Sequence, residues 1–150
     1  MAANNKVLAR NYTLEVYDGA AYVEIKGINT LTISTEKESS DTTTFDSNGM
    51  AEHLATQRAK TISAEGYEWY DPDTGEQDAG QAEVETLSNA VGTAAQSTLH
   101  IVHNNSGREK WLNGTFNLSD IGGGNNDPSS WGFEFERTGA SLDTDPNGGV

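Results

Sequence analysis

The side chains that most often carry chemistry are few in this sequence. There are three histidines, His53, His100 and His103. His100 and His103 are three apart in a stretch that alternates like a strand, which sends them to opposite faces and makes them a poor metal pair. His53 stands alone, so all three read as ordinary surface groups or satisfied core groups. The acidic segment DPDTGEQDAG, Asp71 to Gly80, has the look of a calcium loop. In EF-hand register, however, it puts Gly75 at position five instead of six, and Ala82 where the bidentate Glu belongs. DTDPNGG, Asp143 to Gly149, fits the early positions better but supplies no twelfth ligand. IGGGNN, Ile121 to Asn126, has neither the spacing nor the lysine of a phosphate loop and reads as a connection between strands. No cysteine is present, which excludes disulfides and thiolate metal sites. No serine lies in a nucleophile elbow. These residues predict no catalytic centre, no metal site and no cofactor. Tyr67, Trp69 and Tyr70, with Trp111, are the one alternative: an aromatic platform on which a sugar ring could stack.

Composition narrows the classes further. At 150 residues the chain is long enough for one core without staples. Nine Lys and Arg stand against 23 Asp and Glu, a net charge of −14. From Thr61 to Gly107 there are eight acids and no Lys or Arg. Affinity for a phosphate backbone comes from basic side chains releasing counterions, so a sequence-reading nucleic-acid binder is not expected. The first ten residues contain no continuous apolar run of the secretory kind, and no later run approaches membrane-spanning length. The reading is a soluble protein made in the cytoplasm, with no membrane partner. The Asn-x-Ser/Thr sequons at Asn11, Asn104, Asn113 and Asn117 are then chance occurrences.

The elements are set by a period of two. Tyr12-Leu14-Val16 alternates with Thr13, Glu15 and Tyr17, and after Asp18-Gly19 the run Ala21-Val23-Ile25 alternates with Tyr22, Glu24 and Lys26. Ile28 to Thr35 continues the pattern, and Lys60–Tyr67, Ser97–His103, Lys110–Leu118 and Trp131–Arg137 are further strands. One helix is expected, Gln81 to Val91, with Val84, Leu87 and Val91 on one side, Asp78 as its cap and Gly92 as its end. Many strands and one helix imply a mainly β fold: an antiparallel β-sandwich or barrel flanked by one α-helix, with a long inter-strand loop. A single domain should span residues 1–140, and the Asp-, Gly- and Pro-rich residues 141–150 should form a disordered tail.

Four strands share a surface character. Thr30-Thr32-Ser34-Glu36, Thr61-Ser63-Glu65, Asn113-Thr115-Asn117-Ser119 and Gly132-Glu134-Glu136 are small, polar and acidic. Their opposite faces, Leu31-Ile33, Ile62-Ala64, Leu112-Phe116-Leu118 and Trp131-Phe133-Phe135, are apolar. Such a sheet suits a monomer's exterior or the wall of a water-filled channel.

The order of these segments resembles the tail tube proteins (major tail proteins) of long-tailed bacteriophages, relatives of contractile-tail and type VI secretion tube proteins. NYTLEVYDGAAYVEIKGINTLTIST is similar to the family's opening strand, turn and first inner strand. DTTTFDSNGMAEHLATQRAKTISAEG is similar to its acidic, threonine-rich linker and following strand, and WGFEFERTGA to its closing strand. The resemblance covers roughly Asn11 to Ala140 and shows no second, immunoglobulin-like domain. It implies a virion structural protein that assembles into stacked hexameric rings. These form a tube through which genome DNA passes without specific binding. The implied partners are further copies of itself, a tape measure protein, a tail terminator and a tail-tip or distal tail protein, with assembly in the host cytoplasm. Asp41, Thr42, Thr43, Thr44, Phe45, Asp46, Asn48, Gly49, Met50, His53 and Leu54 would then contact neighbouring subunits or the adjacent ring. Thr42–Phe45 read as strand and Asn48-Gly49 as a two-residue hairpin turn. This segment would be mobile in the monomer and order on stacking. Thr30, Thr32, Ser34, Glu36, Ser63, Glu65, Asn113, Thr115, Asn117, Glu134 and Glu136 would face the lumen. The alternative function is a monomeric β-sandwich carbohydrate-binding module using the aromatic platform.

Overall fold

The computed structural model describes residues 8–147. Tyr12–Tyr17 (β1) and Tyr22–Glu24 (β2) form a hairpin around Asp18. The Asp18 carboxylate accepts hydrogen bonds from the Ala21 and Ala20 N–H groups, which hold its pKa below the usual carboxylate value. The remaining elements are Ile28–Asp41 (β3), His53–Tyr67 (β4), Ala79–Ser88 (α1), Gln96–His103 (β5), Arg108–Leu118 (β6) and Ser130–Arg137 (β7). All strand pairings are antiparallel, in one seven-stranded sheet ordered β2-β1-β5-β6-β7-β4-β3.

The two edges of this sheet, β2 and β3, are consecutive in the chain and separated only by Ile25, Lys26 and Gly27. That link reaches at most about 14 Å, so the sheet curls until its edges meet at one end. The expected sandwich or barrel thus takes the form of one curled sheet. The inward face supplies Leu14, Val16, Ile62, Ala64, Leu99, Ile101, Leu112, Phe116, Trp131, Phe133 and Phe135, with Val84 and Leu87 of α1 packed among them. Phe116 lies between Phe133 and Phe135, with ring centroids 5.4 and 4.8 Å away.

Closure is made by Gln81, a polar side chain with no exposed surface. Its Nε2 donates to the Lys26 carbonyl at 2.8 Å and the Tyr67 carbonyl at 2.9 Å, and its Oε1 accepts from the Trp69 N–H at 3.0 Å. It therefore ties the β2–β3 link to the end of β4. Asp78 caps α1, as expected, accepting from the Gln81 N–H, and it also accepts from the Lys26 N–H. The backbones come so close here that a Cβ on Gly66 would lie 1.9 Å from the Gly27 carbonyl oxygen.

Three expectations need correction. The helix ends at Ser88, not Val91, because Ser88 Oγ bonds back to the Val84 carbonyl and Asn89 takes the C-cap. Val91 lies outside it and is exposed, and Gly92 opens a 3₁₀ turn. Ile33 is 41% exposed, because it lies on an edge strand at the open mouth of the curled sheet. Residues 141–147, read as a disordered tail, lie along the sheet. Leu142 exchanges both backbone hydrogen bonds with Trp111, and Lys110 pairs with Asp143. Tyr22 and Thr98 bond to Asn147. Residues 148–150 lie outside the described residues.

Candidate assembly surface

The polar outer face is continuous across four strands. Register puts Thr32, Ser63, Glu134 and Asn117 in one row across β3, β4, β7 and β6, and Ser34, Thr61, Glu136 and Thr115 in the next. Thr30 pairs with Glu65, and Glu36 with Ala59. Asn113 continues β6 on the same face and accepts from Thr98 Oγ1 at 2.7 Å. Of the sequence-derived wall residues, Ser63 and Thr115 are half-buried by their neighbours and the rest are exposed. Successive side chains alternate between faces, so all eleven lie on one side of the sheet. That patch carries Glu36, Glu65, Glu134 and Glu136 and no Lys or Arg.

The second feature is an arm. The last pairing of β4 with β7 is Thr61 with Glu136, and beyond it β3 and β4 pair only with each other, out to Asp41 and His53. Every side chain described from Glu36 to Ala59 is exposed. The stretch read as a loop is mostly β ladder. Its sequence lacks alternation because neither face of the arm is buried. Thr42–Phe45 are not strand, which corrects the sequence reading. The Asp41 carboxylate takes the Thr43 N–H at 2.9 Å, a local bond that competes with the ladder, and Phe45–Ser47 form a 3₁₀ turn. Asn48 and Gly49 have left-handed φ angles of 52° and 81°, yet they sit within an eleven-residue tip, Thr42–Glu52, not a two-residue turn. The tip presents Phe45, fully exposed, and Met50, 73% exposed, with Leu54 just below. An isolated two-stranded hairpin is marginal in water, and the arm is held by the ladder that continues from β3 and β4 of the sheet.

The histidines stay apart, as expected. His100 Nδ1 lies 2.9 Å from Glu15 and its ring stacks on Trp111 with centroids 4.7 Å apart, while His103 bonds Ser106 on the other side. Among the described residues no group of three His, Asp or Glu is arranged to hold a metal. No helix among them is long and apolar enough to cross a membrane. Trp111 is buried, its ring stacked on His100 and its backbone paired with Leu142, so the four-aromatic platform is not assembled; Tyr67, Trp69 and Tyr70 are exposed. Nearby, burial pushes the Tyr22 phenol up to about 12, with Asp145 alongside.

Sequence reasoning missed Gln81, Arg10 and Lys26. Gln81 had a readable signal: it falls three residues before Val84, on the apolar side of the helix. Arg10 and Lys26 line a groove of about 780 Å³ between β1 and the start of β3, floored by Tyr67 and Trp69. Nothing local in the sequence marks it, since it exists only because the sheet edges meet.

Solved structures share this architecture. A chain from the tail of an empty GTA particle, reconstructed with C6 symmetry, superposes with a TM-score of 0.64 at 21% identity, covering 95% of this chain and 100% of its own. The chain has a tail-tube fold. A chain of the native gene transfer agent virion gives 0.63 at 21% identity with the same coverage. The SPP1 tail tube gives 0.63 at 13% identity, over 91% of this chain and 78% of that one. No family model and no curated protein matches the sequence. Within the tail-tube fold, this chain shows an acidic outer face across four strands and an exposed arm.

Proposed function

We propose that this protein is a structural component of a phage-type virion tail. It assembles into stacked hexameric rings that form a tube, and genome DNA passes through that tube. The observation that carries the reading is the arm: a long hairpin whose strands pair only with each other and whose tip exposes Phe45 and Met50, on a fold shared with a chain of a sixfold tail. The residues from Asp41 to Leu54 then contact a neighbouring copy. The four-strand acidic face lines the lumen, where a wall free of Lys and Arg leaves DNA phosphates unbound and mobile. Tape measure, terminator and tail-tip proteins follow as partners of such a tube. A carbohydrate-binding module is less well supported, because Trp111 is buried away from the exposed aromatics.

The test is assembly of the purified protein. Concentrated samples should form rings or hollow tubes in negative-stain micrographs, with no cofactor added. A sample that sediments as a monomer at every concentration, with and without tail-initiating proteins, would falsify the proposal.

A further inference from the structure

The groove at the base of β3 and β4 combines an exposed aromatic floor with two cationic side chains. It opens because β2 pairs only with Glu15–Tyr17, so Tyr12–Leu14 of β1 face the free edge of β3 with no strand between them. Tyr67 and Trp69 form its apolar floor, with Trp69 still 52% exposed, and Tyr70, 69% exposed, stands just beyond. Arg10 and Lys26, two of the nine Lys and Arg in the chain, lie at its walls beside a single acid, Glu24.

The arm tip is the complement. From Glu38 to Gln57 there are four acids and no Lys or Arg, and Phe45 and Met50 stand unburied among them. Tip and groove lie at opposite ends of the same strand: β3 begins in the groove wall at Ile28 and ends at the tip at Asp41. Its 14 residues span about 45 Å, so the tip cannot reach its own groove. Head-to-tail stacking of identical copies brings the tip of one onto the base of the next, a heterologous contact that repeats without closing.

We infer that the groove is the socket for the arm of the adjacent copy along the stack. Phe45 and Met50 pack on Tyr67 and Trp69, and Asp46 and Glu52 meet Arg10 and Lys26. In a chain of net −14, this is a surface where an acidic tip meets positive charge. The inference rests on the proposed tube assembly and adds its axial contact.

The absence of native cysteine makes the contact directly testable. In assembled tubes, a Met50→Cys/Trp69→Cys protein treated with a short bismaleimide should give a ladder of linked chains. A Met50→Cys/Asn89→Cys control should give none, since Asn89 is on the exposed end of α1. Arg10→Glu with Lys26→Glu should raise the concentration needed for tubes at least tenfold, and adding Asp46→Lys with Glu52→Lys should restore it. Tubes that form normally with no ladder, and that ignore the charge reversal, overturn the socket while leaving the tube assignment standing. If the unaltered protein forms no tubes, the tube assignment falls and the socket with it. Ladders in the Asn89 control alone also overturn the socket.

Discussion

Removing the arm tip should abolish assembly without unfolding the protein. The perturbation deletes Ser40–Leu54 and joins Ser39 to Ala55, a registered pair, through a four-residue Gly/Ser turn. The deleted residues include no core side chain. The loss is the end of the ladder, Ser40 with Leu54 and Asp41 with His53, plus the Thr42 N–H to Glu52 carbonyl bond. Each such solvent-exposed bond contributes about 1 kcal/mol net at most. Against this, shortening the loop from Thr42–Glu52 to four residues recovers about 1 kcal/mol of closure entropy. The fifteen deleted residues also no longer need ordering. The unfolding free energy of the monomer should therefore stay within about 2 kcal/mol of the parent, read by urea denaturation with an unchanged cooperative transition. Tubes should be absent from micrographs at concentrations where the parent forms them. A loss above about 4 kcal/mol would place the tip in the core, and normal tubes from the shortened protein would refute its role in stacking.

Gln81→Ala should cost about 3–5 kcal/mol in chemical denaturation, since it strands the Lys26 and Tyr67 carbonyls and the Trp69 N–H; a cost below 1 kcal/mol would mean that closure does not depend on this side chain. Burial first, and then the nearby Asp18 charge, raise the pKa of Glu83 above the ordinary value of 4.5, so its folded form binds a proton more readily than the unfolded chain. Its contribution is present below pH 4.5 and is lost as pH rises through the folded pKa; Glu83→Gln should thus raise the melting temperature at pH 7 and not at pH 3. Glu134→Lys with Glu136→Lys should leave tubes intact but slow or stall DNA ejection, most strongly at low salt where screening is weak, as timed by dye release from particles carrying such tubes. If the tip of one copy docks at the base of the next, the translation between copies along the stack cannot exceed about 50 Å, set by the length of β3, and layer lines from assembled tubes measure it.

The strands were legible because half-buried antiparallel strands write their burial into alternation. Leu14 and Val16, Ile62 and Ala64, and Phe133 and Phe135 all point inward as that pattern requires. The outer-face residues were legible for the same reason, as the other half of each alternation. The outer parts of β3 and β4 were not, because the arm buries neither face and its residues are polar on both. The tip was misread where Asp41 offers a local hydrogen bond in place of a ladder bond. Residues 141–147 looked unstructured because their order comes from Trp111, Tyr22 and Thr98, distant partners that no local pattern anticipates. The groove is likewise a product of closure: it needs Gln81 to hold the β2–β3 link against β4, and the spacing of residues along the chain does not encode that meeting.

The most direct test of the tube assignment is a cryo-electron microscopy reconstruction of the protein assembled at high concentration. A hollow tube of sixfold rings is expected, with Glu65, Glu134 and Glu136 on the channel wall and the Phe45–Met50 tip against the next ring. A reconstruction without sixfold rings, or with the arm in solvent and those carboxylates on the outer surface, would contradict it.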